Sequence, residues 1–192
     1  GNYTGQNLNR VAFPIGGIGA GIEQVRLLGV LQRLALCFFA AGLAFVWLSP
    51  RNMLVLTVAL LGSYWALLTF YPVPGSGAGD FTEGHNLTNW IDKMYLPFRK
   101  WDGDHDPEGL LSTLPAIAGT LMGVFAGRLL KHPEIPARQK VRSLLVWGLV
   151  GIVLGLLWHL QFPIIKKLWT SSFVLLTAGI SSVLLGIFYL VV

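Results

Sequence analysis

Charged residues are scarce in this chain of 192 residues: Asp, Glu, Lys and Arg make up 12% of it, whereas hydrophobic residues make up 54%. Soluble domains carry about a quarter charged residues. None of these four residue types occurs in the stretches 52–79, 109–127, 143–165 and 168–192. A run of about 20 apolar residues matches the hydrocarbon core of a bilayer. The sequence therefore excludes a soluble globular domain and predicts an integral membrane protein.

Cysteine is nearly absent as well, because Cys37 is the only one. A single cysteine excludes an intrachain disulfide and a cysteine-based metal site, and its place inside an apolar run favours a packing role. The formal net charge of +5 is modest. Basic residues are spread over the connections and form no stripe interleaved with aromatic residues. We therefore expect a lipid bilayer around the chain and no nucleic-acid partner.

The apolar runs predict an all-α bundle of about five membrane helices. Their predicted bounds are 27–48, 53–72, 110–130, 143–161 and 170–192. A helix satisfies its backbone polar groups within one segment, as lipid requires, and the runs lack the alternation of a β-barrel strand. Small residues at a spacing of four suit close helix packing, and they recur at Gly119, Gly123, Gly127, Gly151 and Gly155.

The two longest connections differ in charge. Residues 73–108 carry seven acidic and three basic residues, a net charge of −4, whereas residues 128–142 carry five basic residues and one acidic residue, a net charge of +4. Basic connections stay on the cytoplasmic side of a membrane. The sequence therefore predicts 73–108 outside, 128–142 inside, the N-terminus outside and the C-terminus inside, with a bacterial inner membrane as the expected location.

Polar residues inside or beside a membrane span are candidates for function. The predicted topology gathers Gln32, Arg33, Asp106, Glu108 and Lys166 towards the outer side. Carboxylates and cations together suit a polar, hydroxyl-rich ligand through charge-assisted hydrogen bonds, so these residues are predicted to bind substrate. The structural alternatives are an ion pair of Arg33 with Asp106 or Glu108, a helix start at the two acidic residues, and a snorkelling role for Lys166.

Histidines offer no metal site by their spacing. His85, His105 and His132 lie in the connections at separations unlike those of metal-ligand motifs, and a solvated surface role is expected for each. The triplet Asn86-Leu87-Thr88 matches the acceptor pattern for N-glycosylation in an outer connection, which would matter only in a secretory pathway. The sequence therefore predicts no metal ligand.

Four stretches carry a family resemblance: 28–35 (LGVLQRLA), 68–75 (LTFYPVPG), 106–113 (DPEGLLST) and 162–172 (FPIIKKLWTSS). In order and spacing they resemble the transmembrane region of the heparan-α-glucosaminide N-acetyltransferase family and its bacterial relatives. The resemblance implies that residues 24–192 are part of a larger bundle that transfers an acetyl or acyl group. The implied donor is acetyl-CoA, and the implied acceptor is a sugar amine or hydroxyl, such as that of glucosamine.

The resemblance also implies what this chain does not carry. The family's catalytic histidine is expected in helices upstream of 28–35, and those helices and the last ones of the family bundle are expected to be missing. No catalytic residue is therefore assigned here. Ile165 also stands where the resemblance leads us to expect Asn. Two interpretations stay open: an enzyme fragment, or a non-catalytic membrane bundle able to associate with copies of itself.

Residues 1–23 form a glycine-rich extension of different character. Its run at 16–21 (GGIGAG) lacks the βαβ surroundings that a dinucleotide-binding loop requires. Residues 7–21 resemble the opening strand of the non-lysosomal glucosylceramidase family of glycoside hydrolases. This resemblance implies a gene fusion with a hydrolase N-terminus as an alternative origin of the chain.

Overall fold

The computed structural model describes residues 25–191, and within this range the chain is all-helical. Its helices are α1 Val30–Trp47, α2 Pro50–Phe70, α3 Leu87–Tyr95, α4 Thr113–Lys131, α5 Ala137–His159 and α6 Ser171–Val191. The predicted all-α class is confirmed. The glycine-rich extension, with its resemblance at 7–21, lies outside the described residues.

Each helix except α3 is long and apolar enough to cross a membrane. These five helices have 18 to 23 residues, which matches the roughly 20 residues that a bilayer core requires. Large apolar side chains stay exposed along them; Phe38 and Trp47 are both 75% exposed. In water such a surface would mark an aggregation or docking patch, whereas in a bilayer it contacts lipid or further helices. The chain thus has the architecture of a multi-pass membrane protein.

Capping residues explain where α2 and α3 begin. α2 begins at Pro50, three residues before its predicted start, because proline suits the first helical turn and Ser49 Oγ accepts a hydrogen bond from Asn52 N at 3.3 Å. Residues 87–95 were expected to belong to a connection, but they form α3, because Asn86 Oδ1 accepts a hydrogen bond from Asn89 N at 2.9 Å. Asn86 is fully buried, and its Nδ2, the atom that would carry a glycan, donates to Thr82 O and Asn89 Oδ1, so a glycan does not fit there in the folded chain.

Other helix bounds differ from prediction because charge-free runs mark lipid contact and not the whole helix. α5 begins at Ala137 and includes basic residues that precede its predicted start at 143. α4 begins at Thr113, so the expected helix start at Asp106 and Glu108 is wrong. Residues 106–112 form turns ahead of that helix. Asp106 and Glu108 therefore lie in the turns that precede α4 and do not form its N-terminus.

The closest helix contact lies between α5 and α6, which run antiparallel. A Cβ atom on Gly179 would lie 2.6 Å from Gly148 O, and one on Gly155 would lie 2.8 Å from Leu176 N. Gly151 faces the same contact, since its Cβ would lie 3.3 Å from the Cα of Gly179. Glycine thus lets the two backbones touch. The predicted packing role of Gly151 and Gly155 is confirmed.

The other predicted glycine repeat behaves differently. A Cβ atom on Gly119 would make an ordinary contact with Val174, at 3.4 Å, but one on Gly123 or Gly127 would meet nothing within 4 Å among the described residues. A close-packing role at Gly123 and Gly127 is therefore wrong within this part of the chain. Cys37, which was expected to pack, is buried at 3% exposure.

The antiparallel helices give the bundle two distinct ends. The loop end consists of residues 25–29, 71–112 and 160–170, and the opposite end consists of the short connections 48–49 and 132–136 with the flanking helix turns. Beneath the loop end lies an apolar cluster made by Tyr64, Leu68, Val73, Leu87, Phe162 and Leu168. The Tyr64 hydroxyl donates a hydrogen bond to the carbonyl of Leu168. This cluster ties the long connection to the ends of α2 and α6.

Candidate functional site

The centre of the loop end is an ion-paired group around Asp106. Arg26 Nε donates to Asp106 Oδ2 at 2.7 Å and Arg26 Nη2 donates to Asp106 Oδ1 at 2.6 Å. The same Nη2 also donates to Glu108 Oε2. The Asp106 side chain is fully buried, whereas those of Arg26 and Glu108 are 24% and 19% exposed. A bidentate guanidinium–carboxylate pair fixes geometry as well as charge, so Arg26 is held between the two carboxylates.

Hydrogen bonds keep this pair ionised. Burial by itself would raise the pKa of Asp106, but the hydrogen bonds from Arg26 and from the backbone N–H groups of Glu108 and Trp101 outweigh it and hold that pKa below its usual range. The two backbone bonds measure 3.0 and 3.1 Å. The hydrogen bond to Asp106 in turn raises the pKa of Arg26. The site therefore carries a permanent guanidinium at neutral pH, with Glu108 at its solvent side.

A second buried carboxylate, Asp92 on α3, holds the loop that carries Asp106. Asp92 Oδ1 accepts the N–H of Leu110 at 2.9 Å, and Oδ2 accepts the N–H of Asp106 at 3.4 Å. Burial raises the pKa of Asp92 to about 6. A Cβ atom on Gly109 would lie 2.0 Å from Asp92 Oδ2, so only glycine fits there. Asp92 and Gly109 together set the path of the backbone through the site.

Arg33 contacts the site from α1 but makes no ion pair with the carboxylates. Its Nη1 donates to the carbonyl of Pro107 at 3.2 Å, and its guanidinium lies over the ring of Trp169, 4.0 Å from the centroid. Its Nη2 is buried without a hydrogen-bond partner in the described range. The predicted pairing of Arg33 with Asp106 or Glu108 is wrong, because Arg26 occupies both carboxylates.

Two indoles accompany the two arginines. Arg26 lies 5.2 Å from the ring centroid of Trp101, an arrangement that matches the Arg33–Trp169 pair. Trp169 adopts a left-handed backbone conformation with φ of 54°, which is strained for a bulky residue. Its ring packs edge-on against Phe173 at a centroid distance of 5.2 Å. Strained residues of this kind concentrate at functional sites, and here the strain orients an aromatic face towards a buried cation.

The structure brings together three of the five predicted site residues: Arg33, Asp106 and Glu108. Gln32 and Lys166 lie at the same end of the bundle but are exposed, and within residues 25–191 neither makes a side-chain hydrogen bond or ion pair. The neighbouring Lys167 makes the ionic contacts instead, with Glu83 and, at 3.3 Å, with Asp102. The structure therefore does not bring Gln32 and Lys166 into the ion-paired group.

Sequence reasoning missed Arg26 and Asp92. Arg26 falls just before the first apolar run, where it is the cation nearest the predicted outer end of that helix. Pairing this cation with the acidic turn predicted at the same end would have identified it. Asp92 carries a weaker signal: it is the one acidic residue in the short segment 87–95, which follows an Asn that can cap a helix.

No protein-family model matches the chain. The chain is 28% identical to a protein named heparan-alpha-glucosaminide N-acetyltransferase from Mus musculus, in an alignment of 221 positions that covers 88% of this chain and 34% of the relative. The protein of the same name from Homo sapiens is 27% identical, with 88% of this chain and 33% of the relative covered. The chain spans about a third of the length of these curated relatives. Its membrane bundle is thus related to one part of a heparan-alpha-glucosaminide N-acetyltransferase.

Proposed function

We propose that this chain is part of an acyl-CoA-dependent membrane acyltransferase and that its loop end binds the acceptor. The partial relationship to an N-acetyltransferase supports the reaction class. The observation that carries the proposal is the cluster of Arg26, Arg33, Asp106 and Glu108 at one end of a membrane bundle. Intramembrane or membrane-edge ionic groups are costly, and they mark substrate sites by default.

The cluster suits a sugar that carries an amine or hydroxyl groups. The partly exposed Glu108 carboxylate would accept a hydrogen bond from an amine or hydroxyl. Arg33 Nη2, which is buried and has no hydrogen-bond partner within residues 25–191, would donate one to an acceptor group that reaches it. Trp101 is 68% exposed, and the ring face that Arg26 does not contact would pack against a sugar ring. Asp106 acts through Arg26, which it holds in place. Gln32 and Lys166 would contact the outer part of the acceptor from the rim.

The proposed reaction joins the acceptor to an acetyl group supplied by acetyl-CoA. The acceptor nitrogen or oxygen attacks the thioester carbonyl carbon, a C–N or C–O bond forms, and the C–S bond breaks to release CoA. A general base takes the acceptor proton. We assign that base to no residue of this chain, because the family resemblance gives none of its histidines the catalytic role. CoA serves as group carrier, and the protein supplies orientation.

The proposed arrangement spans a bacterial inner membrane with the loop end outside. The acceptor would then bind on the outer side, where residues 73–108 carry a net charge of −4. The donor would approach from the inside, where residues 128–142 carry a net charge of +4. Basic surfaces concentrate anionic ligands such as the phosphates of CoA. The charge contrast between the two ends therefore suits a reaction whose substrates arrive from opposite sides.

The experiment changes Glu108 to Gln at the aligned position of a complete relative. Loss of one charged hydrogen bond corresponds to about 1.5–3 kcal/mol, so we expect the acceptor kcat/KM to fall by about tenfold or more with unchanged acetyl-CoA affinity. The weakened contact with Arg26 should lower the free energy of unfolding by no more than about 1 kcal/mol. The matched control is Glu134→Gln at the opposite end, which we expect to leave all three quantities unchanged. Unchanged acceptor kinetics in Glu108→Gln, or a loss fully explained by unfolding, would count against acceptor binding.

A further inference from the structure

A second polar cluster lies at the loop end, beside the ion-paired group around Asp106. Glu83 precedes α3, whereas Asp102 and His105 follow it, and the chain brings one ligand atom of each to within 4.8 Å of the others. His105 Nε2 lies 3.5 Å from Glu83 Oε1 and 3.8 Å from Asp102 Oδ2. The histidine side chain is only 9% exposed. Two carboxylates therefore face one buried imidazole nitrogen.

The contact of the second ring nitrogen of His105, Nδ1, determines which nitrogen carries the proton. His105 Nδ1 lies 2.7 Å from Asp104 Oδ1, a hydrogen bond in which the ring N–H donates to the carboxylate. In the neutral ring, Nε2 then carries a lone pair and no proton. This buried Nε2 has no hydrogen-bond partner among residues 25–191. A lone pair that faces two carboxylates is unfavourable, and either a proton on Nε2 or a metal cation between the three groups removes the repulsion.

We propose that Glu83, Asp102 and His105 bind a zinc ion. Zinc bonds of about 2.0–2.2 Å in tetrahedral geometry place neighbouring ligand atoms about 3.4 Å apart. The two distances from His105 Nε2 already approach this value. Small rotations of the exposed Glu83 side chain would bring all three ligand atoms to the spacing that zinc requires. Asp104 supplies the carboxylate–histidine contact that orients metal-binding imidazoles. The nitrogen ligand favours zinc over magnesium or calcium, which prefer sites made of oxygen atoms.

Lys167 contacts the two carboxylates that the metal would bind. Its Nζ contacts Glu83 Oε1 and lies 3.3 Å from Asp102 Oδ2, and its side chain is 54% exposed. Zinc would displace this ammonium into solvent and bind the same two carboxylates. The site would then link the residues before and after α3 beside Asp106. Bound zinc would thus stabilise the loop end, although the sequence predicted no metal site.

The test measures zinc binding to the full chain, purified in detergent without a histidine tag and stripped of metal. Zn²⁺ is titrated against a fluorescent chelator, and Co²⁺ serves as a spectroscopic probe of tetrahedral coordination. We expect one Zn²⁺ per chain and a rise in melting temperature. His105→Gln should weaken binding at least tenfold, and Asp104→Asn, which removes the orienting contact, by on the order of tenfold.

Two further variants separate metal binding from damage to the fold. Lys167→Met removes the competing ammonium and should tighten zinc binding, a gain that misfolding cannot produce. His85→Gln changes an exposed histidine of the same connection, whose Nδ1 lies 3.2 Å from Ser76 Oγ, and it should leave the affinity unchanged. The proposal is overturned if the parent chain binds no zinc, if His85→Gln weakens binding as much as His105→Gln, or if Lys167→Met leaves the affinity unchanged.

Discussion

The two ends of the bundle are held together by different kinds of contact. At the loop end, the hydrogen bonds of Arg26 reach across 80 and 82 positions of the chain, and that of Arg33 reaches across 74. At the opposite end, Lys140 Nζ donates to Leu130 O only 10 positions away, and Ser49 caps α2 through Asn52. The side-chain hydrogen bonds cited for the loop end join distant segments, whereas those cited for the opposite end join near neighbours in sequence. The long-range contact at the opposite end is of another kind, with the guanidinium of Arg128 5.5 Å from the ring centroid of Phe45.

This difference fits different tasks. Long-range ion pairs and buried hydrogen bonds hold side chains within a narrow geometry, which a binding site requires. Short-range caps only have to end a helix and turn the chain. Charge follows the same division, with −4 in residues 73–108 and +4 in residues 128–142. We therefore propose that the loop end binds the acceptor, whereas the opposite end turns the chain between spans and carries the basic charge that the proposed donor would meet.

The largest expected effect is an all-or-none difference in labelling between the ends. Single cysteines at Ala78 and Ala137, both exposed, are introduced in a Cys37→Ala background. Because basic connections stay inside, an impermeant maleimide should label position 78 in intact bacterial cells and position 137 only after the membrane is opened. Labelling of position 137 alone in intact cells would reverse the assignment of the two ends and move the proposed acceptor site to the cytoplasm.

The next effect concerns the ion pairs of the loop end. Arg26→Gln leaves the buried carboxylate of Asp106 without its guanidinium. We expect a loss of unfolding free energy of about 2 kcal/mol, below the roughly 3–5 kcal/mol typical of a fully buried pair because Arg26 is partly exposed. Chemical unfolding in detergent measures this loss. Arg138→Gln, an exposed arginine at the opposite end, should change stability by less than about 0.5 kcal/mol.

A double variant sharpens the same prediction. Arg26→Gln combined with Asp106→Asn removes both charges, so the combined loss should be smaller than the sum of the two single losses. Strict additivity would show that Arg26 and Asp106 contribute independently. In that case the long-range ion pair would no longer distinguish the loop end from the opposite end.

The same contrast explains how much the sequence revealed. The apolar runs predicted five membrane helices, and the recurrence of Gly151 and Gly155 predicted a close contact, because both signals are local and periodic. The site was only partly predicted. Charge placement brought Arg33, Asp106 and Glu108 to one end, but the choice of Arg26 as partner of both carboxylates depends on where segments 80 positions apart meet. Local patterns carry no information on such a choice.

A smaller effect should appear as a pH dependence at Asp92. Burial raises its folded pKa to about 6, above the roughly 3.9 of an unfolded Asp. The folded chain therefore binds more protons than the unfolded chain between these values, and the stability that Asp92 contributes falls as pH rises through about 6. Between pH 5 and pH 7.5, the free energy of unfolding of the parent chain relative to Asp92→Asn should fall by about 1 kcal/mol.

Asp80→Asn is the control for this pH dependence. A hydrogen bond from Thr82 holds the pKa of Asp80 below its usual range, so the stability that it contributes is complete above the unfolded pKa and is lost only as pH falls lower. The difference in free energy of unfolding between Asp80→Asn and the parent chain should stay constant between pH 5 and pH 7.5. If the free-energy difference from the parent chain changed equally with pH for Asp92→Asn and Asp80→Asn, burial of Asp92 would not be the cause of the pH dependence.

The smallest expected effect lies at the opposite end, in Lys140→Met. Methionine keeps most of the buried stem but removes the ammonium that caps the α4 C-terminus at Leu130 O, 2.7 Å away. A cation at a helix C-terminus contributes roughly 0.3–1 kcal/mol, so we expect a loss near the middle of that range. Lys131→Met removes an exposed charge from the same turn and should have less effect, because its Nζ makes no hydrogen bond within residues 25–191. A loss in Lys140→Met as large as that in Arg26→Gln would contradict the contrast between the long-range ion pairs of the loop end and the short-range hydrogen bonds of the opposite end.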